Sequence, residues 1–228
     1  MATGFSPEMM EFFLSLRFNN NQAFFEENRA RYQRLVQQPM RALAQELEPV
    51  LLEIDPQVDA RLARVVSRIR RDTRFSRNKD PYRDHMWMAW RHAGEATADA
   101  VCFYWEVSPE AMHWGFGYYA ENKATMDRVR RAILAKPREL LALCAQCGVP
   151  ERFSLQGSAY KRMTVPEEVP EALRPMYIKK GFYFENVEGA QDFGLLYSGN
   201  IAHRLREDYR SLAPLYRWMR GRQLDEIE

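Results

Sequence analysis

Val101-Cys102-Phe103-Tyr104-Trp105-Glu106-Val107 is rich in β-branched and aromatic residues, the composition that fits a pleated, half-buried surface. Ser108-Pro109-Glu110 follows with turn chemistry. Residues 113–119 are aromatic again, with Gly115 and Gly117 spaced among them. The two runs predict a β-hairpin, and everything outward from it reads differently. Upstream, Ser6-Pro7-Glu8 opens a helix over 7–17, and Asn21 closes the Asn19-Asn20-Asn21 break by capping a second helix that carries Phe24, Phe25, Tyr32, Leu35 and Val36. Pro39 is expected to interrupt that helix. Met40, Leu43, Leu47, Val50, Leu51 and Ile54 then recur at three- and four-residue intervals and mark an amphipathic helix closed by Asp55-Pro56.

Downstream, Met126, Val129 and Ile133 define one helix. Pro137 starts another, carrying Leu140, Leu141 and Cys144, which Gly148 caps. A strand is expected over 177–187, and a last helix with Ile201, Leu205, Tyr209 and Leu212 on one side, kinked or restarted at Pro214. The segment 166–175, with three prolines, reads as a surface loop or short helical turn. Helices, then strands, then helices, without βαβ alternation, predict an α+β fold with a largely antiparallel sheet packed against N-terminal, middle and C-terminal helices. A single domain is expected over 5–222, with 1–4 and 223–228 as flexible termini. No eighteen-residue apolar run and no basic-then-apolar leader is present, so a cytoplasmic protein is expected. Three cysteines make no disulfide framework and fit a reducing compartment. The net charge of +2 lacks the field of a nonspecific nucleic-acid or membrane binder.

That near-neutral total hides a sharp local excess. Between Arg61 and Arg83 stand eight arginines and one lysine against Asp72 and Asp80, a window of +7 set against about −5 elsewhere. Val65, Val66, Ile69 and Phe75 sit among these cations and predict a strand entering the motif Arg71-Asp72-Thr73-Arg74-Phe75-Ser76. Guanidinium forks grip phosphate or carboxylate bidentately, so a cluster this dense reads as an anion site or an ion-pair knot. On a regular strand Arg70, Asp72 and Arg74 would share one face, with the carboxylate orienting two guanidiniums. The expected ligand-binding set is Arg70, Arg71, Asp72, Arg74, Lys79, Tyr82 and Arg83, with Tyr82 as an aromatic wall and Lys79 and Arg83 closing from the loop.

Several segments together resemble a known family: the helix with Phe13, Leu14 and Leu16, then Asn19-Asn20-Asn21, Phe24-Phe25-Glu26 with Arg29, and Arg71-Asp72-Thr73-Arg74-Phe75-Ser76 with Lys79 and Pro81-Tyr82-Arg83. Leu212-Ala213-Pro214-Leu215-Tyr216 completes them. The family is that of domain of unknown function 2461, and the likeness runs over about 5–219. It implies a single-domain cytoplasmic protein with no established activity. Phe24, Asp80 and the segment 160–166 depart from the family's usual pattern, so no role is lent to Lys161 or Arg162.

Other candidates are thinner. Cys144-Ala145-Gln146-Cys147 precedes Gly148 at a helix C-terminus, whereas a reactive pair wants the positive end of a helix. His85 and His92 would share a face only if the segment from His85 is helical. Gly115-Phe116-Gly117 could let a ligand approach the backbone, but reads more simply as a bulge or packed strand. No metal site, cofactor or membrane contact is expected. Three functions follow in order: a binding protein or enzyme for a small anionic, possibly phosphorylated ligand, with Asp72 or His113 as acid/base if a reaction occurs; a structural or interaction domain in which the motif is a fold-holding ion network; and a nucleic-acid module that uses the interleaved aromatics. Oligomeric state stays open.

Overall fold

The computed structural model describes residues 4–96 and 99–224. It is α+β, with one five-stranded antiparallel sheet in the order β1-β2-β3-β5-β4. The helices are α1 (Glu8–Phe18), α2 (Gln22–Glu27), α3 (Arg29–Tyr32), α4 (Gln38–Ile54) and α5 (Leu62–Val65), then α6 (Lys123–Ala135), α7 (Pro137–Gln146), α8 (Arg174–Tyr177), α9 (Gly194–Tyr197) and α10 (Ile201–Leu224). The strands are β1 (Met86–Arg91), β2 (Val101–Val107), β3 (Ala111–Tyr118), β4 (Ser154–Gln156) and β5 (Tyr183–Gly189). Of the tails expected to be flexible, 1–3 and 225–228 lie outside the described residues. No described helix is long and apolar enough to cross a membrane.

The chain divides into two compact units. The first holds 1–90, 104–114 and 187–207, and the second holds 91–103, 115–186 and 208–228. In the first, α1 buries Met9, Phe12, Phe13 and Leu16, and α4 buries the whole predicted stripe from Met40 to Ile54. Asn21 caps α2 by accepting from the Phe24 amide at 3.0 Å, as its position before the apolar run requires. Pro39 does not interrupt the helix. The run from Arg29 to Ile54 is continuous, with a π turn at Gln33–Gln37 directly ahead of the proline, and there the Gln38 amide donates to Gln33. A widened turn makes room for a residue that has no N–H to give and whose ring crowds the turn before it.

The second unit is built on rings. Phe103 of β2 lies 4.7 Å from Tyr216 and 5.0 Å from Tyr209, both on α10, while Phe116 of β3 meets Phe184 of β5 at 5.5 Å. Burying aromatics of this size supplies several kcal/mol apiece in transfer terms, on the order of 25 cal/mol per Å². Helix α10 runs through Pro214 without a break. The glycine pair of β3 serves the sheet and not a ligand: a β-carbon at Gly115 would stand 1.8 Å from the Phe184 carbonyl oxygen, and one at Gly117 2.3 Å from the Tyr183 Cα. The backbone that comes close is β5.

The hairpin forms as expected, with Ser108 Oγ accepting from the Glu110 and Ala111 amides at 3.2 Å in the turn. The strand expected through Val65 and Val66 does not. Val65 ends α5, and beyond it 66–71 and 81–88 meet in an irregular antiparallel ladder with single bridges Val66 to Met88 and Arg70 to Tyr82. Between Val65 and Phe75 only Val65 and Ile69 are buried, so no continuous apolar face holds a regular strand there. From His85 onward the chain is β1 and not a helix, with Met86, Met88 and Trp90 buried on alternate positions, which leaves His85 and His92 on no common helical face. The strand expected over 177–187 begins at Tyr183, because Tyr177 closes α8; β4 was not foreseen, and pairs Leu155 with Phe184.

Gly115→Ala forces a β-carbon into the β5 backbone, and urea denaturation should show a loss of about 1–3 kcal/mol or more, the cost of overpacking where the neighbour is main chain and cannot turn away.

Candidate functional site

The arginine motif is a loop braced at its base. Between the ladder partners Arg71 and Pro81, joined by an amide-to-carbonyl bond of 2.8 Å, residues 72–80 form no strand. Asp72 therefore does not stand between Arg70 and Arg74. It turns on itself, accepting from the Arg74 amide at 3.1 Å and from the Arg74 guanidinium at 2.6 Å. The Arg74 hydrogen bond holds the exposed Asp72 carboxyl down at about 2. An exposed local pair of this kind contributes little stability. Lys79 Nζ donates to the Thr73 carbonyl at 3.0 Å and Arg71 reaches Ser76 Oγ at 3.4 Å, so both close the loop on itself. Phe75, at 95 % exposure, packs into no core.

Tyr82 and Arg83 do other work. The Asn20 side chain grips the Tyr82 backbone from both sides, its Oδ1 accepting from the Tyr82 amide at 3.0 Å and its Nδ2 donating to the carbonyl at 2.9 Å. The buried Tyr82 ring stacks on Phe25 at 4.1 Å, so it is a support and not an open wall. Arg83 Nη1 donates to the carbonyls of both Arg68 and Arg70 at 2.7 Å, with its guanidinium 4.7 Å over the Trp87 ring. One charged donor thus fixes the two carbonyls on either side of Ile69. Arg17 ties the same region to α1 and the hairpin turn through Asp84 at 2.5 Å and Glu110 at 2.7 Å.

What these braces hold is one side of a cleft of about 350 Å³ within the first unit. Its helical wall carries Arg29, Gln33, Gln37 and Arg41 at a constant spacing of four, and its other wall is Leu62, Ala63 and the extended segment 66–70. Arg68 and Arg70 are exposed there, with Ile69 buried between them. Phe25 and Tyr32 form an apolar floor, and burial pushes the Tyr32 hydroxyl up to about 12, so it stays a neutral phenol. Arg29 is engaged, donating twice to Glu26 at 2.8 and 2.6 Å. Arg41, Arg68 and Arg70 have no carboxylate partner among the described residues. The cleft lining holds four arginines and no acid, histidine or cysteine, so the charge there is uncompensated from within.

Of the residues expected at the site, the cleft takes Arg70 alone; Tyr82 and Arg83 support it, and Arg71, Asp72, Arg74 and Lys79 organise the loop. His113 lies half-buried on β3, outside the cleft. Sequence reasoning missed Arg29, Arg41 and Arg68 as a set, although the polar stripe 29-33-37-41 and the Arg-Ile-Arg alternation at 68–70 were there to be read. Cys144 and Cys147 sit at the C-terminal end of α7 and are buried, and burial pushes the Cys144 thiol up to about 12, the direction opposite to a reactive thiol. Among the described residues no group of three or more His, Cys, Asp or Glu could hold a metal ion.

Compared with known families, the chain matches the model of the conserved hypothetical protein family DUF2461 over residues 8–218, nearly its whole length, and belongs to that family. A comparison with curated proteins finds no match.

The braces and the loop pair separate in experiment. Asn20→Ala, which strips both partners from the Tyr82 backbone, should lower stability by about 1–3 kcal/mol in chemical denaturation. Asp72→Ala, which removes only an exposed local pair, should change it by no more than about 0.5 kcal/mol.

Proposed function

We propose that this protein binds a small anionic ligand in the cleft between the Arg29–Arg41 helical wall and the Arg68–Arg70 segment. The observation that carries this reading is the lining itself: three guanidiniums without carboxylate partners among the described residues, a fourth held by an exposed pair with Glu26 and lying over the Phe25 ring, and no acid within the lining. Guanidiniums used for structure find carboxylates or carbonyls, as Arg74, Arg17 and Arg83 do. Arginines left open on both walls of one cleft are arranged for an anion from outside. The volume lies at the lower end of the range for small-molecule sites, roughly 300–1,000 Å³. With no acid, histidine or cysteine in the lining, the supported chemistry is binding and charge neutralisation and not proton transfer. Arg70 is the member of the arginine motif that takes part, and Arg83 and Tyr82 act through the backbone they hold. The alternative, a fold-holding network, is supported for those two residues by the same contacts and describes the frame of the cleft. The three buried, unpaired cysteines fit the cytoplasmic setting that this reading assumes.

A thermal-shift screen with phosphate, phosphorylated metabolites, dicarboxylates and short oligonucleotides tests the reading. At a free ligand concentration ten times Kd, binding to the native state adds about 1.4 kcal/mol and raises Tm by roughly 3–5 °C. Arg41→Ala and Arg70→Ala, both at exposed positions, should keep the unliganded Tm within about 2 °C and lose the shift. A ligand-induced shift equal in wild type and Arg70→Ala would refute the assignment.

A further inference from the structure

The cleft of about 350 Å³ has room for more than a bare inorganic ion, since small-molecule sites run from roughly 300 to 1,000 Å³. The charged and uncharged parts of the lining are also sorted by depth. Arg41, Arg68 and Arg70 are exposed at the rim, whereas Phe25 and Tyr32 are buried at the floor, and Gln33 and Gln37 add neutral amide groups on the helical wall. Arg68 and Arg70 stand two apart on one segment whose carbonyls Arg83 fixes, and both line the cleft. An anion with its charge concentrated at one end meets both of them together with Arg41.

We infer that the ligand class is an organic phosphomonoester: a dianionic head held by Arg41, Arg68 and Arg70, and an uncharged body lying on the Phe25–Tyr32 floor beside Gln33 and Gln37. This rests on the anion-binding reading above and adds the shape and charge of the ligand to it. Arg29 is the fourth cation, recruited from Glu26. That pair is half exposed, with side-chain exposures of 55 % and 45 %, and an exposed pair costs little to exchange for a phosphate. Because the lining holds no acid, histidine or cysteine, the change in affinity between about pH 5 and 8 follows the ligand's own second proton, with a pKa of about 6.

Calorimetric titration of the whole protein with inorganic phosphate, phenyl phosphate and succinate decides it. Phenyl phosphate is expected to bind about tenfold more tightly than inorganic phosphate at pH 7.5, from the apolar area it covers, and to weaken below about pH 6. Ala63→Leu, which fills the uncharged wall at an exposed helical position, should weaken phenyl phosphate by about tenfold and leave inorganic phosphate unchanged. Glu26→Gln, which frees Arg29, should tighten phenyl phosphate. Equal affinity for phosphate and phenyl phosphate, or tighter binding of succinate, overturns the phosphomonoester while leaving an anion site standing. No binding by any of the three overturns the anion site itself.

Discussion

Where a side chain would begin at position 115, a backbone oxygen already stands. The Phe184 carbonyl lies 1.8 Å from the point a β-carbon would occupy, and at Gly117 the Tyr183 Cα of β5 lies 2.3 Å from it. Such main-chain contact is the condition on which β5 joins β3, and β4 in turn depends on β5 through the register Ser154 to Glu185, Leu155 to Phe184 and Gln156 to Tyr183. Phe116, between the two glycines, projects to the other face of β3 and meets Phe184 and Tyr216.

Arginine does three different jobs in this chain, and only one of them leaves charge to spare. Some guanidiniums are spent on backbone carbonyls: Arg83 on Arg68 and Arg70 in the first unit, and in the second Arg91 on Glu95, Arg174 on Val169, and the buried Arg130 on Tyr177 at 2.9 Å and Lys179 at 2.6 Å. Arg130 uses the planar fork, with Nε on one carbonyl and Nη2 on the other, whereas Arg83 reaches both of its carbonyls from Nη1 alone. Others, Arg61 and Arg74 among them, pair with a carboxylate two residues away and stiffen a turn. Arg41, Arg68 and Arg70 do neither. A dense run of arginines therefore marks a place where the backbone is held as much as a place where something is bound.

The fold class, the hairpin, the α4 stripe and the Asn21 cap were legible because each rests on local periodicity or one residue's chemistry. The irregular ladder was not. Alternation between Arg70, Asp72 and Arg74 looks like a strand face, but nothing in the sequence shows that Asp72 prefers its own turn amide two residues on. β1, Met86-Trp87-Met88-Ala89-Trp90, alternates buried with half-buried positions, but its methionines and tryptophans are apolar on both faces, so the alternation does not show in the sequence. The cleft was half legible. Its arginines are plain in the chain, but Arg29 and Arg41 are separated from Arg68 and Arg70 by more than a helix, and only tertiary structure sets them on facing walls.

The π turn at Gln33–Gln37 bears on that helical wall in a further way. In a plain α-helix of 3.6 residues per turn, positions four apart advance about 40° beyond a full circle, so a stripe at 29, 33, 37 and 41 would wind by about 120° around the axis before reaching Arg41. The wider turn lags behind that winding and keeps the stripe on one side. Such a turn is the trace of a single residue carried within a helix. Phase, more than composition, makes Arg29 and Arg41 neighbours of the same cleft, and a relative without that extra residue would turn a different side chain toward it while sharing almost every amino acid.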